Sequence, residues 1–224
     1  MFANIIILVY NKHVFLKREG DKMNYQLVLD ETLKNLKGVP KLLLHACCAP
    51  CSSYCIEYLS DYFEITIYYY NPNIDTQDEF NYRFNELDRF IKEFKTKYPV
   101  HLVNAGYLNE DFEKITKGLE NEPERGKRCL KCYRLRLEKS YQYAKDNNFD
   151  YITTTLTLSP HKNSKVINEI GEDLEKIYQV PYLYSDFKKR DGYKRSIVLS
   201  HEYNLYRQDY CGCKYSKKNK DLLH

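Results

Sequence analysis

A chain of 224 residues can bury roughly 70% of its unfolded surface, so it needs no covalent staples, and its eight cysteines call for a chemical role. The formal charge, +4 from 35 basic and 31 acidic residues, is too mild to mark a nucleic-acid or membrane binder, and no stretch approaches the ~20 apolar residues that span a bilayer. Ile5-Ile6-Ile7-Leu8-Val9-Tyr10 lacks the basic lead and small-residue cleavage site of a secretory signal; the chain reads as cytoplasmic, where clustered thiols stay reduced and favour metal or redox work over bridges.

Residues 1–22 show no clear period and read as an N-terminal extension, whereas 23–224 read as one α/β catalytic domain with a cysteine-rich tail. Leu27, Leu29, Leu33 and Leu36 predict a helix over 25–36, closed by Gly38 and Pro40. A short strand over 42–46 follows, its run of leucines being the doubly buried kind found in parallel sheets. Directly after it comes Ala46-Cys47-Cys48-Ala49-Pro50-Cys51-Ser52, three thiols where a strand gives way to a helix. Pro50 suits the first turn of that helix, and Cys55, Ile56, Tyr58 and Leu59 give it an apolar stripe. A strand over 63–70 is broken by Asn71-Pro72-Asn73, and Phe80, Phe84, Leu87, Phe90, Ile91 and Phe94 then predict a long helix over 76–97. Beyond Pro99 the pattern gives a strand over 100–103 and a helix over 110–119. Cys129-Leu130-Lys131-Cys132 opens a helix reaching about Lys145. Next come a strand over 151–156, a helix over 165–178, a last strand over 181–184, a helix over 191–203, and a tail with Cys211-Gly212-Cys213.

Five short strands alternating with helices predict a doubly wound, mainly parallel sheet with helices on both faces. Such sheets bind ligands beyond the carboxyl ends of their strands, where strand order reverses, and Cys47 and Cys48 fall at such an end. No glycine-rich phosphate turn is present, which argues against nucleotide binding in the usual mode.

Cys129 and Cys132 lie one turn apart at a helix start beside Arg125, Lys127 and Arg128, where the dipole and positive charge favour thiolates. Two such thiols with two from Cys47, Cys48 and Cys51 make four sulfur ligands, the number taken by tetrahedral zinc or a 4Fe–4S cluster. The vicinal Cys47-Cys48 is a poor zinc knuckle, which favours the cluster; a zinc-stabilised RNA-binding module is the competing reading. A disulfide between Cys211 and Cys213 would close a small, strained, easily reduced ring. The pair therefore reads as redox-active, as ligands to a second metal, or as incidental tail thiols. Cys51 remains a candidate, while Cys55 reads as a small buried hydrophobe. His45 and His161 suit hydrogen-bonded core positions better than acid–base roles, and Asp186, Glu120 and Glu124 are carboxylates in segments that could face the site. The basic runs around 125–136, 188–195 and 217–220 fit solvated faces as well as an RNA-contacting surface.

With these residues in view, the chain resembles the cobalamin-independent epoxyqueuosine reductase family (QueH-type). The matching segments are Leu44 to Cys51, Tyr70-Asn71-Pro72-Asn73-Ile74, Arg128-Cys129 through Cys132 to Arg136-Leu137, and Thr153-Thr154-Thr155-Leu156 to Ser159-Pro160-His161-Lys162. Asp186-Phe187-Lys188-Lys189 and Leu205 to Cys213 continue the match, in order, over about residues 41–216. Asp75-Thr76 departs from it, since the family commonly has a proline two residues after the isoleucine. The resemblance implies a nucleotide-hydrolase-like α/β fold without its ATP loop. It also implies reduction of the epoxide on the wobble-position base of a tRNA anticodon loop to an alkene, the oxygen leaving as water. Carried over, Cys47, Cys48, Cys129 and Cys132 hold a 4Fe–4S cluster, and Cys211 and Cys213 form a redox-active pair or bind an adjacent mononuclear iron with Asp186 as its carboxylate. An external electron donor is implied, and no membrane. A cluster-dependent tRNA thiolase on the same scaffold would require the ATP-binding turn that is missing here.

Overall fold

The computed structural model describes residues 5–10, 13–18 and 23–221, with side chains for 23–217. Within the expected N-terminal extension, β1 (Ile5–Tyr10) and β2 (His13–Arg18) form an antiparallel ladder from Ile5 opposite Arg18 to Tyr10 opposite His13; residues 1–4, 11–12 and 19–22 lie outside the described residues. Helix α1 (Tyr25–Lys34) starts where the Asn24 side chain accepts from the Gln26 amide, a cap that satisfies one orphan donor. The chain then runs β3 (Lys41–His45), α2 (Ala49–Leu59), β4 (Glu64–Tyr69), α3 (Gln77–Glu93), β5 (Val100–Asn104) and α4 (Asn109–Thr116). It continues through α5 (Lys127–Asp146), β6 (Tyr151–Thr154), a 3₁₀ turn over Thr155–Leu158, α6 (Ser164–Tyr178), α7 (Gly192–Glu202) and α8 (Lys214–Asp221).

Leu42, Leu43 and Leu44 are all fully buried because β3 lies inside the sheet, paired in parallel with β4 on one side and β6 on the other. Alternation sends Leu42 and Leu44 into a core with Ile56 and Leu59 of α2 and Phe80 and Phe90 of α3. It sends Leu43 to the opposite face, among Leu137 and Tyr141 of α5 and Ile167 and Leu174 of α6. Helices therefore cover both faces, as expected. Strand order is β5-β4-β3-β6, so the chain steps outward from β3 to β5 and returns on the far side of β3. The order reverses between β3 and β6, and the carboxyl ends of those two strands carry the Cys47 loop and the Thr155 turn.

The parallel sheet has four strands rather than the five expected. Residues 181–184 reach β6 through a single bridge between Ile152 and Tyr182. Side chains take over from the ladder there: the Thr153 hydroxyl donates to the Leu183 carbonyl at 2.8 Å, and the Asn168 amide group clasps both backbone atoms of Ser185 at 2.8 and 3.0 Å. Backbone groups so satisfied have no need of a strand partner. β6 likewise stops before 156, since the Thr154 hydroxyl accepts from the Leu156 amide and opens the 3₁₀ turn. α3 ends at Glu93, short of 97, where Phe94 turns extended, and the tail, for which no element was expected, folds as α8. Among the described residues no helix is long and apolar enough to cross a membrane.

Candidate metal centre

Cys48 is the N-cap of α2, in extended backbone, and Cys51 stands three residues on, so the two side chains converge as cap and N3 residues do. Neither thiol caps the helix backbone; the Ser52 hydroxyl instead donates back to the Cys48 carbonyl at 2.7 Å and tightens the turn. Cys47, just before the cap, brings its Sγ to 3.7 Å from that of Cys48 and 3.8 Å from the Thr155 hydroxyl across the crevice. The sulfurs of Cys47, Cys48 and Cys51 all lie within 4.8 Å of one another, a group of donors that could hold a metal ion.

The triad concentrates negative charge on one sulfur. Hydrogen bonds from Cys48 and Cys51 hold the Cys47 thiol well below its ordinary range, and Lys162 and Arg136 help to outweigh burial. The thiols of Cys48 and Cys51 are pushed up, chiefly through their hydrogen bonds to Cys47. Cys55, one turn further along α2, is fully buried in the apolar core, and burial raises it. It is the packed hydrophobe expected.

The second pair lies at the start of α5. Arg125 adopts a left-handed φ of 69°, which turns its amide toward the Cys129 sulfur at 3.3 Å. Cys132 is packed with Phe112 of α4, Cys213 and Tyr215. Here the expectation of thiolates at a basic helix start is corrected. Burial dominates, raising Cys129 and pushing Cys132 up to about 12 in the metal-free chain. A bound metal would override this by deprotonating the thiol outright.

The Asn71-Pro72-Asn73 turn draws the tail into place. The Asp75 amide donates to the Gly212 carbonyl at 2.9 Å, and the Asn73 side chain reaches the Cys211 carbonyl at 3.5 Å. Gly212 sits at φ 106°, and any Cβ there would approach Arg83 to 3.1 Å. Cys211 consequently faces the same cavity as the triad, whereas Cys213 is buried beside Cys132. All eight cysteines are free thiols, so the pair at 211 and 213 is not bridged.

That cavity, about 480 Å³, opens over the triad. Arg83, Arg125, His161, Lys162 and Arg207 line it, as do Tyr193 and Tyr210 and the carboxylates Glu124 and Asp209. The Arg83 guanidinium lies 5.2 Å from the Tyr210 ring centroid and that of Arg207 lies 5.6 Å from the Tyr193 ring. Asp186 is elsewhere, ion-paired with Lys188 and absent from the cavity wall. Beneath the triad, Arg136 donates to His45 Nε2 at 3.3 Å and to Asn71 Oδ1 at 2.5 Å, and Asn71 in turn donates to the Ala46 carbonyl at 2.9 Å. His45 is kept neutral by burial first and by Arg136 second, its pKa lowered to about 3. Its Nδ1 lies 2.8 Å from the Thr154 hydroxyl, and its Nε2 lies 3.2 Å from the Tyr70 carbonyl.

A family model described as epoxyqueuosine reductase QueH matches residues 42–219. The chain belongs to this family. The epoxyqueuosine reductase QueH of Streptococcus pyogenes serotype M1 is 45% identical over 204 residues, covering 89% of this chain and 80% of the relative. That of Staphylococcus epidermidis is 42% identical over 213 residues, covering 92% and 90%, and that of Thermotoga maritima is 32% identical over 181 residues, covering 78% and 89%.

In this QueH chain the tight donor group pairs Cys47 and Cys48 with Cys51, the thiol the sequence left in doubt, and not with Cys129 or Cys132. Arg136 lies between the two sets, four residues after Cys132 on α5 and hydrogen-bonded to His45 and Asn71 beside the Cys47 loop. The basic runs also divide. Arg128 is buried with its guanidinium on the carbonyls of Leu119, Glu120 and Glu122, and Arg195 is paired with Glu57 and Glu202. Arg83 and Arg125, from different parts of the chain, reach the cavity. Arg83 carried no signal in the sequence, where it reads as one charge on an amphipathic helix.

Proposed function

We propose that the protein is an epoxyqueuosine reductase acting on tRNA, with a 4Fe–4S cluster held by Cys47, Cys48, Cys129 and Cys132. The observation that carries the reading is the family match over residues 42–219, joined to a thiol triad at the carboxyl end of β3 beneath a basic, aromatic cavity. An all-sulfur donor set suits zinc or iron–sulfur ligation, and a fully buried Arg136 supplies positive charge that an anionic thiolate centre would balance. In the reaction both epoxide C–O bonds break, a C=C bond forms, and the oxygen leaves as water with two electrons and two protons. When bound, the cluster and an iron beside it on Cys211 and Cys213 would supply single electrons, from an external donor, and a Lewis acid.

The chain's own residues bind and orient. RNA recognition favours splayed bases stacked on aromatic side chains, and Tyr210 and Tyr193, each faced by an arginine, offer two such surfaces. Arg125 and Lys162 add charge for backbone phosphates. Asp209 and Glu124 line the cavity and would deliver a proton to the departing oxygen, with Asp186 kept as the carboxylate for the adjacent iron. A reducing, cytoplasmic setting suits the eight free thiols.

Anaerobic purification with iron, sulfide and zinc analysis, followed by reduction of epoxyqueuosine-containing tRNA, tests the reading. One zinc and no iron would replace it with a zinc-stabilised RNA-binding module. Tyr210→Ala should raise KM for the tRNA roughly 5- to 150-fold, the ~1–3 kcal/mol that a stacked base is worth. An unchanged KM would remove Tyr210 from the binding surface.

A further inference from the structure

We propose that Glu86 is a positioning residue: it fixes one wall of the cavity, the strap over residues 205–211, and so sets where Asp209, Tyr210 and Cys211 stand over the thiol triad. The inference rests on the functional reading above and deepens it. Arg207 to Cys211 enter the cavity wall consecutively. They belong to no helix or strand, so something other than a ladder must hold them.

Helix α3 supplies the hold. Tyr82, Arg83, Glu86 and Arg89 recur at three- and four-residue spacing on one side of it, and each meets the strap or its root. Arg89 donates to the Tyr203 carbonyl at 3.0 Å, beside Asn204 at a left-handed φ of 49°. The Tyr206 amide donates to Glu86 Oε1 at 2.5 Å, and Tyr82 meets the Tyr206 ring edge-on at 5.1 Å. Arg83 then faces the Tyr210 ring. The strap thus runs antiparallel along α3, and beyond the helix start the Asn73 side chain and the Asp75 amide take the Cys211 and Gly212 carbonyls.

Among these clasps Glu86 is the one that packing does not explain. Arg83 and Arg89 each have an ion pair within α3, with Glu79 at 2.6 Å and Glu93 at 2.8 Å. Glu86 lies one turn from both arginines, yet among the described residues it forms no ion pair. It is buried, and its Oε2 has no hydrogen-bond partner there. A carboxylate kept dry with one oxygen unpartnered costs stability. Its other oxygen holds the strap by the backbone, four residues before Tyr210, independently of the side chains that meet substrate. Glu86 itself is absent from the cavity wall and touches no substrate. Misplacing a reacting group by 1 Å can lower a rate about a hundredfold, which is what a loosened strap would do to Asp209 and Cys211.

The test compares the wild type with Glu86→Leu and Glu86→Gln. Peptide-resolved amide hydrogen exchange is measured on the chelator-treated proteins, and kcat/KM per assembled cluster on the reconstituted ones with epoxyqueuosine-containing tRNA. Leucine fills the space without an acceptor. It should speed exchange over 205–211 roughly tenfold, the worth of one buried hydrogen bond, while α5 keeps its rate. It should also lower kcat/KM about a hundredfold. Glutamine keeps an acceptor and should restore both toward the wild-type values. Unchanged exchange over 205–211 in the leucine variant, unchanged kcat/KM there, or equal losses with leucine and glutamine would overturn the proposal. Faster exchange in α5 as well would reduce Glu86 to a structural residue and overturn it too. If the leucine variant does not fold, the wild type decides: its Tyr206 amide should exchange roughly tenfold or more slowly than in an unfolded peptide, and an unprotected amide overturns the proposal. A wild type that reduces no epoxyqueuosine fells the functional reading and this one with it. An active wild type whose strap is indifferent to Glu86 fells this one alone.

Discussion

Lowering the pH from 7 to 5 should destabilise the metal-free protein by about 2 kcal/mol through His45 alone. The imidazole is fully buried, and burial first, then Arg136, lowers its pKa to about 3. The folded-state pKa lies below the unfolded one, so the unfolded chain takes up a proton that the native site refuses. Stability is therefore full above about 6.5 and falls as the pH drops, the loss continuing down to about 3. At pH 5 the unfolded histidine is about 1.5 units below its pKa, and at about 1.36 kcal/mol per unit this gives ~2 kcal/mol. The size at pH 5 is set by the unfolded value and hardly depends on how far below 5 the native pKa lies. Glu86 and Glu175, pushed up by burial, bind protons in the folded state and shift stability the other way. Comparison with His45→Gln cancels them. The assay is urea denaturation of the reduced, chelator-treated protein at both pH values. A wild type and a variant with the same pH dependence would refute the reasoning.

Gly171→Ala should cost about 1–3 kcal/mol in a thermal or urea melt, because a Cβ there would lie 2.5 Å from the buried Tyr182 ring; an unaltered melt would show that α6 can move aside. Cys47→Ala, which removes the favoured thiolate, should abolish iron binding, whereas Cys55→Ala should leave metal content intact because its sulfur lies in the apolar core; metal analysis separates them. Cys51→Ala should retain its iron if Cys129 and Cys132 complete the ligand set. Loss of iron would put Cys51 among the ligands.

Much of this was written in local pattern. Hydrophobic periodicity located α1 to α7 and β3 to β6 within a few residues, and the leucine run identified β3 as a doubly covered strand. The strand-to-helix change at Cys47 located the site, since topology places ligand sites at such carboxyl ends. The strand expected over 181–184 shrinks to one bridge: the Pro181 carbonyl and Leu183 amide bond to Ile152, whereas the Thr153 and Asn168 side chains take the Leu183 carbonyl and the Ser185 backbone.

What the sequence by itself determined is therefore the class of the fold, the seat of the first cysteine group and the family motif. Only the tertiary structure decided which groups are dry, and dryness governs charge. Burial reversed the thiolate preference expected at Cys129 and Cys132, against a helix dipole and neighbouring arginines. Packing also gave Arg136 and Arg128, two equally buried arginines of one basic run, different partners: the His45 and Asn71 side chains for the first and three backbone carbonyls for the second. Neighbours along the chain are fixed by sequence, but the dielectric around a charge depends on everything packed against it.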